Sequence, residues 1–255
     1  MAFLMARCWA WLRRRRLLKL PDALWEKVLA DLPFLARLNA PEKARLRQLS
    51  EAFLAQKEFS GAGGLVLSDE MCVSIAVQGC LPILKLGLEC YRDWRGVIVY
   101  PDEFIVPRHI EDESGVVHEF DDIASGEAWE GGPLIVSWCD VSMAGSGYNV
   151  VIHEFAHKLD MLTGEVNGIP PLPAAARPAW EAALNAAYAH FCAEEEASAP
   201  TFDRYAAENP SEFFAVMSEV FFETPERLHV AYPVLYEQFC FFYRQTPLRI
   251  SVAKV

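Results

Sequence analysis

Long apolar runs are missing from this sequence. Outside residues 1–12 no stretch approaches 18 apolar residues, and those twelve fall short of the ~20 that a membrane-spanning helix needs. Paired cysteines are missing too. Cys8, Cys72, Cys80, Cys90, Cys139, Cys192 and Cys240 are odd in number, and no two form a CxxC pair. That argues against a disulfide framework and a thiolate metal site, and for a cytoplasmic protein. Positive charge is in deficit: 23 Lys and Arg face 35 Asp and Glu, a net charge of −12. Direct nucleic-acid binding is therefore not expected, because phosphate contacts need a basic surface. Repeats, low-complexity tracts and a linker that would cut the 255 residues in two are absent as well.

The charge is unevenly spread. Arg7, Arg13, Arg14, Arg15, Arg16 and Lys19 give residues 1–20 six cations and no acid, so residues 21–255 carry −18. The apolar part of this arm precedes the Arg run, the reverse of a signal peptide. The expectation is a basic terminal arm followed by one domain over 21–255. Contact of Phe3, Leu4, Trp9, Trp11 and Leu12 with an anionic membrane surface is the lesser alternative.

Helical patterning dominates both ends of the chain. Residues 22–57 read as helices, with Pro41 opening one of them. Residues 58–70, with Gly61, Gly63 and Gly64, read as a turn region. Met71–Leu88 reads as one buried helix kinked at Pro82. Strand patterns follow at 96–100, 104–106, 116–120 and 134–138. Helical patterns return at 148–162, 173–195, 210–222 and 225–243. The layout is α+β, with a small mixed sheet in the middle and helices on both sides.

One motif carries chemistry. His153-Glu154-Phe155-Ala156-His157 is HExxH, and its apolar flanks predict a buried helix following the loop around Gly145 and Gly147. On a helix, i and i+4 share a face, so His153 and His157 can aim two imidazoles at one zinc ion. Glu154 lies about 100° round the helix, beside the metal rather than on it, where it can take a proton from water. The extended three-histidine form fails, because residue 160 is Asp and residue 163 is Thr. The third ligand then comes from elsewhere: Glu208, Glu212, Glu219 or Glu223, with His190 and His229 as outsiders. Glu212 also suits a plain capping role behind Asn209 and Pro210. Asp160 falls on the same face as both histidines, placed to accept an imidazole N–H from behind the metal. The strand Leu134–Trp138 is expected to form the sheet edge along which an extended peptide lies.

Two long stretches resemble the Mlc titration factor A family of zinc peptidases. They are Gly147-Tyr-Asn-Val-Val-Ile-His-Glu-Phe-Ala-His-Lys-Leu-Asp160 and Tyr205-Ala-Ala-Glu-Asn-Pro-Ser-Glu-Phe-Phe-Ala-Val-Met-Ser-Glu-Val-Phe-Phe222. Cys80–Glu89, Val97–Pro101 and Gly132–Trp138 match in the same order, so the likeness spans about residues 40–250. The resemblance implies a zincin-like metallopeptidase, related in its catalytic region to the protease domain of anthrax lethal factor. It implies one Zn2+ held by His153, His157 and Glu212, with Glu154 as general base and Tyr205 as a hydroxyl donor to the oxyanion. Aminopeptidase and endopeptidase cleavage of a peptide or protein substrate both fit it. It also implies a protein partner, a glucose-responsive transcriptional repressor, which a non-catalytic regulator would equally bind and sequester.

Overall fold

Prolines and capping side chains set most of the element boundaries in the computed structural model, which describes residues 19–111, 117–145, 147–197 and 201–248. The arm expected over residues 1–20 therefore lies outside the described residues, apart from Lys19 and Leu20. Helix α1 (Asp22–Asp31) starts behind Pro21. Helix α2 (Ala40–Gln56) opens on a full capping box: Asn39 accepts from the Glu42 amide and the Glu42 side chain accepts from the Asn39 amide.

Residues 58–70 are not all turn. Glu58–Gly61 forms strand β1, too short and too weakly patterned for periodicity to reveal. Helix α3 (Asp69–Cys80), capped by Ser68, ends two residues before Pro82 instead of running kinked to Leu88. Pro82 has no N–H to offer the Gln78 carbonyl, so the ladder stops there and Leu81–Leu86 continues as turns.

The remaining strands are β2 (Gly96–Tyr100), β3 (Phe104–Glu111), β4 (Val117–Ala124), β5 (Gly126–Ala128) and β6 (Leu134–Ser137). One four-stranded sheet has the order β1-β2-β6-β5. Strands β1, β2 and β6 are parallel, and β5 runs antiparallel to β6, pairing Gly126 with Val136 and Ala128 with Leu134. The sheet is therefore mixed, as expected, but its edge is not where the sequence suggested. Strand β6 is interior, paired on both sides. The edge on this side is the three-residue β5, hidden from pattern reading by its length. Trp138 does not extend β6 either: Ser137 caps a short helix, α4 (Trp138–Val141). Strands β3 and β4 form a separate antiparallel hairpin, longer than their apolar cores predicted, whose Phe104 and Val106 rest on Ile135.

Five helices complete the chain: α5 (Val150–Asp160), α6 (Arg177–Ala197), α7 (Pro210–Glu223), α8 (Pro225–Ala231) and α9 (Pro233–Tyr243). The span 225–243 reads as one helix in sequence but is split by Pro233, for the same reason as at Pro82. The main core runs without a break from Leu20 to Tyr243. Helix α5 sits in its middle, every residue buried. Phe155 projects from it into a cage of Phe53, Tyr91 and Trp94, with ring centroids 5.0–5.7 Å away. A Cβ on Gly79 would stand 2.3 Å from the Phe155 ring, so only glycine lets α3 approach α5 this closely. All six described cysteines are free. Among the described residues no helix is long and apolar enough to cross a membrane.

Candidate metal centre

The loop entering α5 is held by carboxylates from α7. Gly145 and Gly147 have positive φ, and their amides donate to Glu223 at 2.7–2.9 Å. At Gly147 a side chain would also meet Arg227 and Thr224. Asn149 then caps the helix, accepting from the Ile152 amide at 2.9 Å. Its own side-chain N–H groups donate to Gln78 and Glu223, each at 2.8 Å, and its amide donates to Glu219. The HExxH helix thus starts from a fixed point, with every polar group of its cap satisfied.

Three side chains converge from this base. The Nε2 atoms of His153 and His157 are 3.1 Å apart. Glu212 Oε2 lies 3.0 Å from the first and 3.2 Å from the second. The outer nitrogens are engaged from behind. His153 Nδ1 meets Glu219 Oε1 at 2.8 Å. His157 Nδ1 meets Ser211 Oγ at 3.2 Å, and that hydroxyl donates to Asp160 Oδ2 at 2.8 Å. With acceptors on both Nδ1–H groups, each imidazole turns its Nε2 lone pair inward. Two imidazole lone pairs and a carboxylate oxygen aimed at one point are a donor set for one divalent cation of the borderline class.

The carboxylates concentrate negative charge at this point, where a proton on His153 or a cation in its place would balance it. Burial works to raise the Glu212 carboxyl, but His153 and His157 outweigh it and hold the group well below the usual carboxylate range. For His153 burial opposes the proton, while Glu212 and Glu219 prevail and raise it well above normal.

Glu154 is different. It is 4% exposed, and burial pushes its carboxyl up to about 7, against the pull of His153 and His157. Its Oε2 is buried without a hydrogen-bond partner. Its Oε1 lies against Gly126 of the edge strand, where an added Cβ would stand only 2.4 Å away. Glu154, His153, Gly126 and Tyr205 share the wall of one cleft of about 320 Å³ with Asp122–Ser125 and Glu208. Tyr205 is half-exposed, its ring centroid 5.8 Å from that of His153. Burial and the Glu212 carboxylate raise its hydroxyl above the ordinary range, so it keeps its proton at neutral pH.

Comparison with known proteins fits this geometry. Residues 8–244 match the family described as Glucose-regulated metallo-peptidase M90. The chain is 41% identical to Mlc titration factor A of Salmonella choleraesuis and of Salmonella typhimurium, over 96% of both chains. It is 41% identical to the Salmonella arizonae protein of that name, over 94% of this chain and 97% of the relative.

The chain belongs to this family. The M90 match takes in every residue of the site and all five helices α5–α9. Of the third-ligand alternatives on this M90 chain, only Glu212 joins the two histidines. Glu208 is exposed on the cleft rim, and His190 pairs with Glu194 on α6. His229 packs on Tyr236, 5.1 Å between ring centroids. Glu219 and Glu223 stand behind α5 as described. Asp160 does not bond an imidazole directly, as the sequence reading had it. It is one hydroxyl further back, behind Ser211, and is also fixed by the Gly168 amide at 2.7 Å. Sequence reasoning missed Ser211, Gly126 and the supporting parts played by Glu219 and Glu223. The available signal was the spacing 212, 219, 223, which places the three carboxylates on one stripe of α7.

Proposed function

We propose that this chain is a zinc-dependent peptidase of the zincin-like, HExxH-plus-Glu class, with residues 21–255 as one catalytic domain. One observation carries the reading. A buried carboxylate with a free oxygen, Glu154, stands on the wall of an open cleft and beside a convergent His-His-Glu set. His153, His157 and Glu212 would hold the ion. A bound zinc supplies Lewis acidity toward a substrate carbonyl and toward water. Glu154 Oε2 accepts the proton of the attacking water and delivers it to the departing amine. The Tyr205 hydroxyl donates to the developing oxyanion. The outer edge of β5, next to Glu154, takes the substrate main chain as an added strand. Free cysteines and the absence of a described membrane-crossing helix support a cytoplasmic setting.

The test is hydrolysis of aminoacyl arylamides and longer peptides by wild type and Glu154→Gln, with zinc content measured on both. The variant is expected to hold zinc and to lose turnover by about 10²- to 10⁴-fold, the range for a positioned acid–base. Turnover retained in a zinc-loaded variant would refute the assigned base.

A second reading is sequestration of a transcriptional repressor, favoured by relatives named Mlc titration factor A over nearly their whole length. Pull-down of an Mlc-type repressor with zinc-stripped protein and with His153→Ala separates the two. Capture without zinc or hydrolysis assigns binding to a surface other than the metal centre. Capture lost with the metal ties partner and active site together.

A further inference from the structure

Lys158 is the one residue of α5 whose charge the peptidase reading leaves unused. It follows His157 directly and is 3% exposed. An ammonium has three donors and no acceptor, so burial is tolerable only where three acceptors meet it. Here the acceptors are the main-chain carbonyls of Trp129, Gly132 and Pro133, at 2.5, 3.0 and 3.3 Å. The Trp94 ring lies beneath the ammonium, 5.0 Å to the centroid. All three carbonyls belong to the turn that joins β5 to β6. That turn has only two bonds of its own, Trp129 N–H to Pro133 O at 3.1 Å and Gly132 N–H to Trp129 O at 3.0 Å.

The position along the helix matters. Glu154 and Lys158 are one turn apart on α5, at i and i+4. Glu154 lies against Gly126, where β5 begins, and Lys158 grips Trp129, just past its end. A strand of three residues is thus pinned at both ends by the helix that carries the candidate metal centre. We propose that Lys158 is a positioning residue: through the Trp129–Pro133 turn it fixes the edge strand β5 relative to Glu154, and so sets how an extended peptide main chain is presented for cleavage. It touches neither metal nor substrate. This rests on the peptidase reading for its consequence, but not for the latch itself.

The experiment uses the full chain and Lys158→Met, which keeps the stem and removes the donors. Hydrogen exchange of the amides within 126–134 (Pro133 has none), zinc content, and kcat and KM on a single-residue arylamide and a longer peptide are measured together. The expected result is stoichiometric zinc and exchange of 126–134 faster by about tenfold or more, the hydrogen bonds having held the turn. For the longer peptide kcat/KM falls about 10- to 100-fold, mostly through KM, with a smaller loss on the arylamide. Lys158→Arg, which retains charge and donors, recovers part of that loss, and it is the variant read if Lys158→Met does not fold. Unchanged exchange at 126–134 overturns the latch. Faster exchange with unchanged kinetics, or equal losses on both substrates, overturns the positioning role. Wild type that cleaves neither substrate overturns the peptidase reading and the presentation role with it, while the exchange data still decide the latch.

Discussion

Replacing Gly126 by alanine should separate catalysis from metal binding. The backbone at 126 does not need glycine for its torsions, since its φ is not in the positive region. Space is the constraint. The new methyl would stand 2.4 Å from Glu154 Oε1, 2.7 Å from Cγ and 2.8 Å from Cδ. Ordinary contact begins near 3.4 Å, so the carboxylate must withdraw by about 1 Å. The side chain can give way by rotation, so the folding cost should stay within about 1–3 kcal/mol, the range for an overpacked methyl. The chemical cost is larger. A misplacement of ~1 Å in a reacting group costs on the order of 100-fold, or about 2.7 kcal/mol of barrier. The three atoms nearest the methyl all belong to Glu154 and none to His153, His157 or Glu212, so zinc should remain stoichiometric. Steady-state hydrolysis, zinc analysis and a denaturant titration on the same preparation test this. Full turnover in Gly126→Ala would refute the placement of Glu154 as base, and loss of zinc would refute the independence of the two parts.

Three further outcomes follow from the same geometry. Glu219→Gln keeps the volume but weakens the grip on His153 Nδ1, so zinc affinity should fall about 10- to 100-fold in a competition titration with a chelator. Burial raises Glu154 to about 7, and the base acts only when deprotonated, so turnover should rise with pH along an acid limb. A bound cation favours the ionised form, which places that limb at or below about 7 in a kcat/KM profile; a midpoint above 8 would point to another group. Tyr205→Phe should lower kcat by about 10²- to 10³-fold, the usual cost of one oxyanion donor, while leaving KM for a peptide nearly unchanged.

Much of the site could be read from local pattern, because a helix converts spacing into geometry. His153, Glu154 and His157 share eleven buried residues, and the i, i+4 rule alone brings the imidazoles together. The third member could only be narrowed to a set. Glu208, Glu212, Glu219 and Glu223 lie within sixteen residues, and which one reaches the histidines depends on how α7 docks on α5. Local sequence does not encode that angle. Asp160 shows the same limit at finer scale: its face was predicted correctly, but a serine fifty-one residues away stands between it and His157. Fold errors arose where elements are short or prolines intervene. Strands β1 and β5 have four and three residues, too few for a period to show. Leu81–Leu88 is as apolar as the helix before it, and only the missing N–H of Pro82 tells the two apart.

The carboxylate stripe on α7 has a consequence for how this chain can vary in length. Glu212, Glu219 and Glu223 serve the candidate metal centre, the His153 imidazole and the loop entering α5, all from one rigid rod. Inserting or deleting one residue between Ser211 and Glu223 turns everything beyond it by about 100°. A change before Glu219 separates the metal-facing Glu212 from both of the others, and one between Glu219 and Glu223 separates the loop clamp from the other two, whatever residue is added. Across the M90 family, insertions should therefore fall in the segments before Pro210 or after Glu223, and the interval between them should behave as a ruler of fixed length.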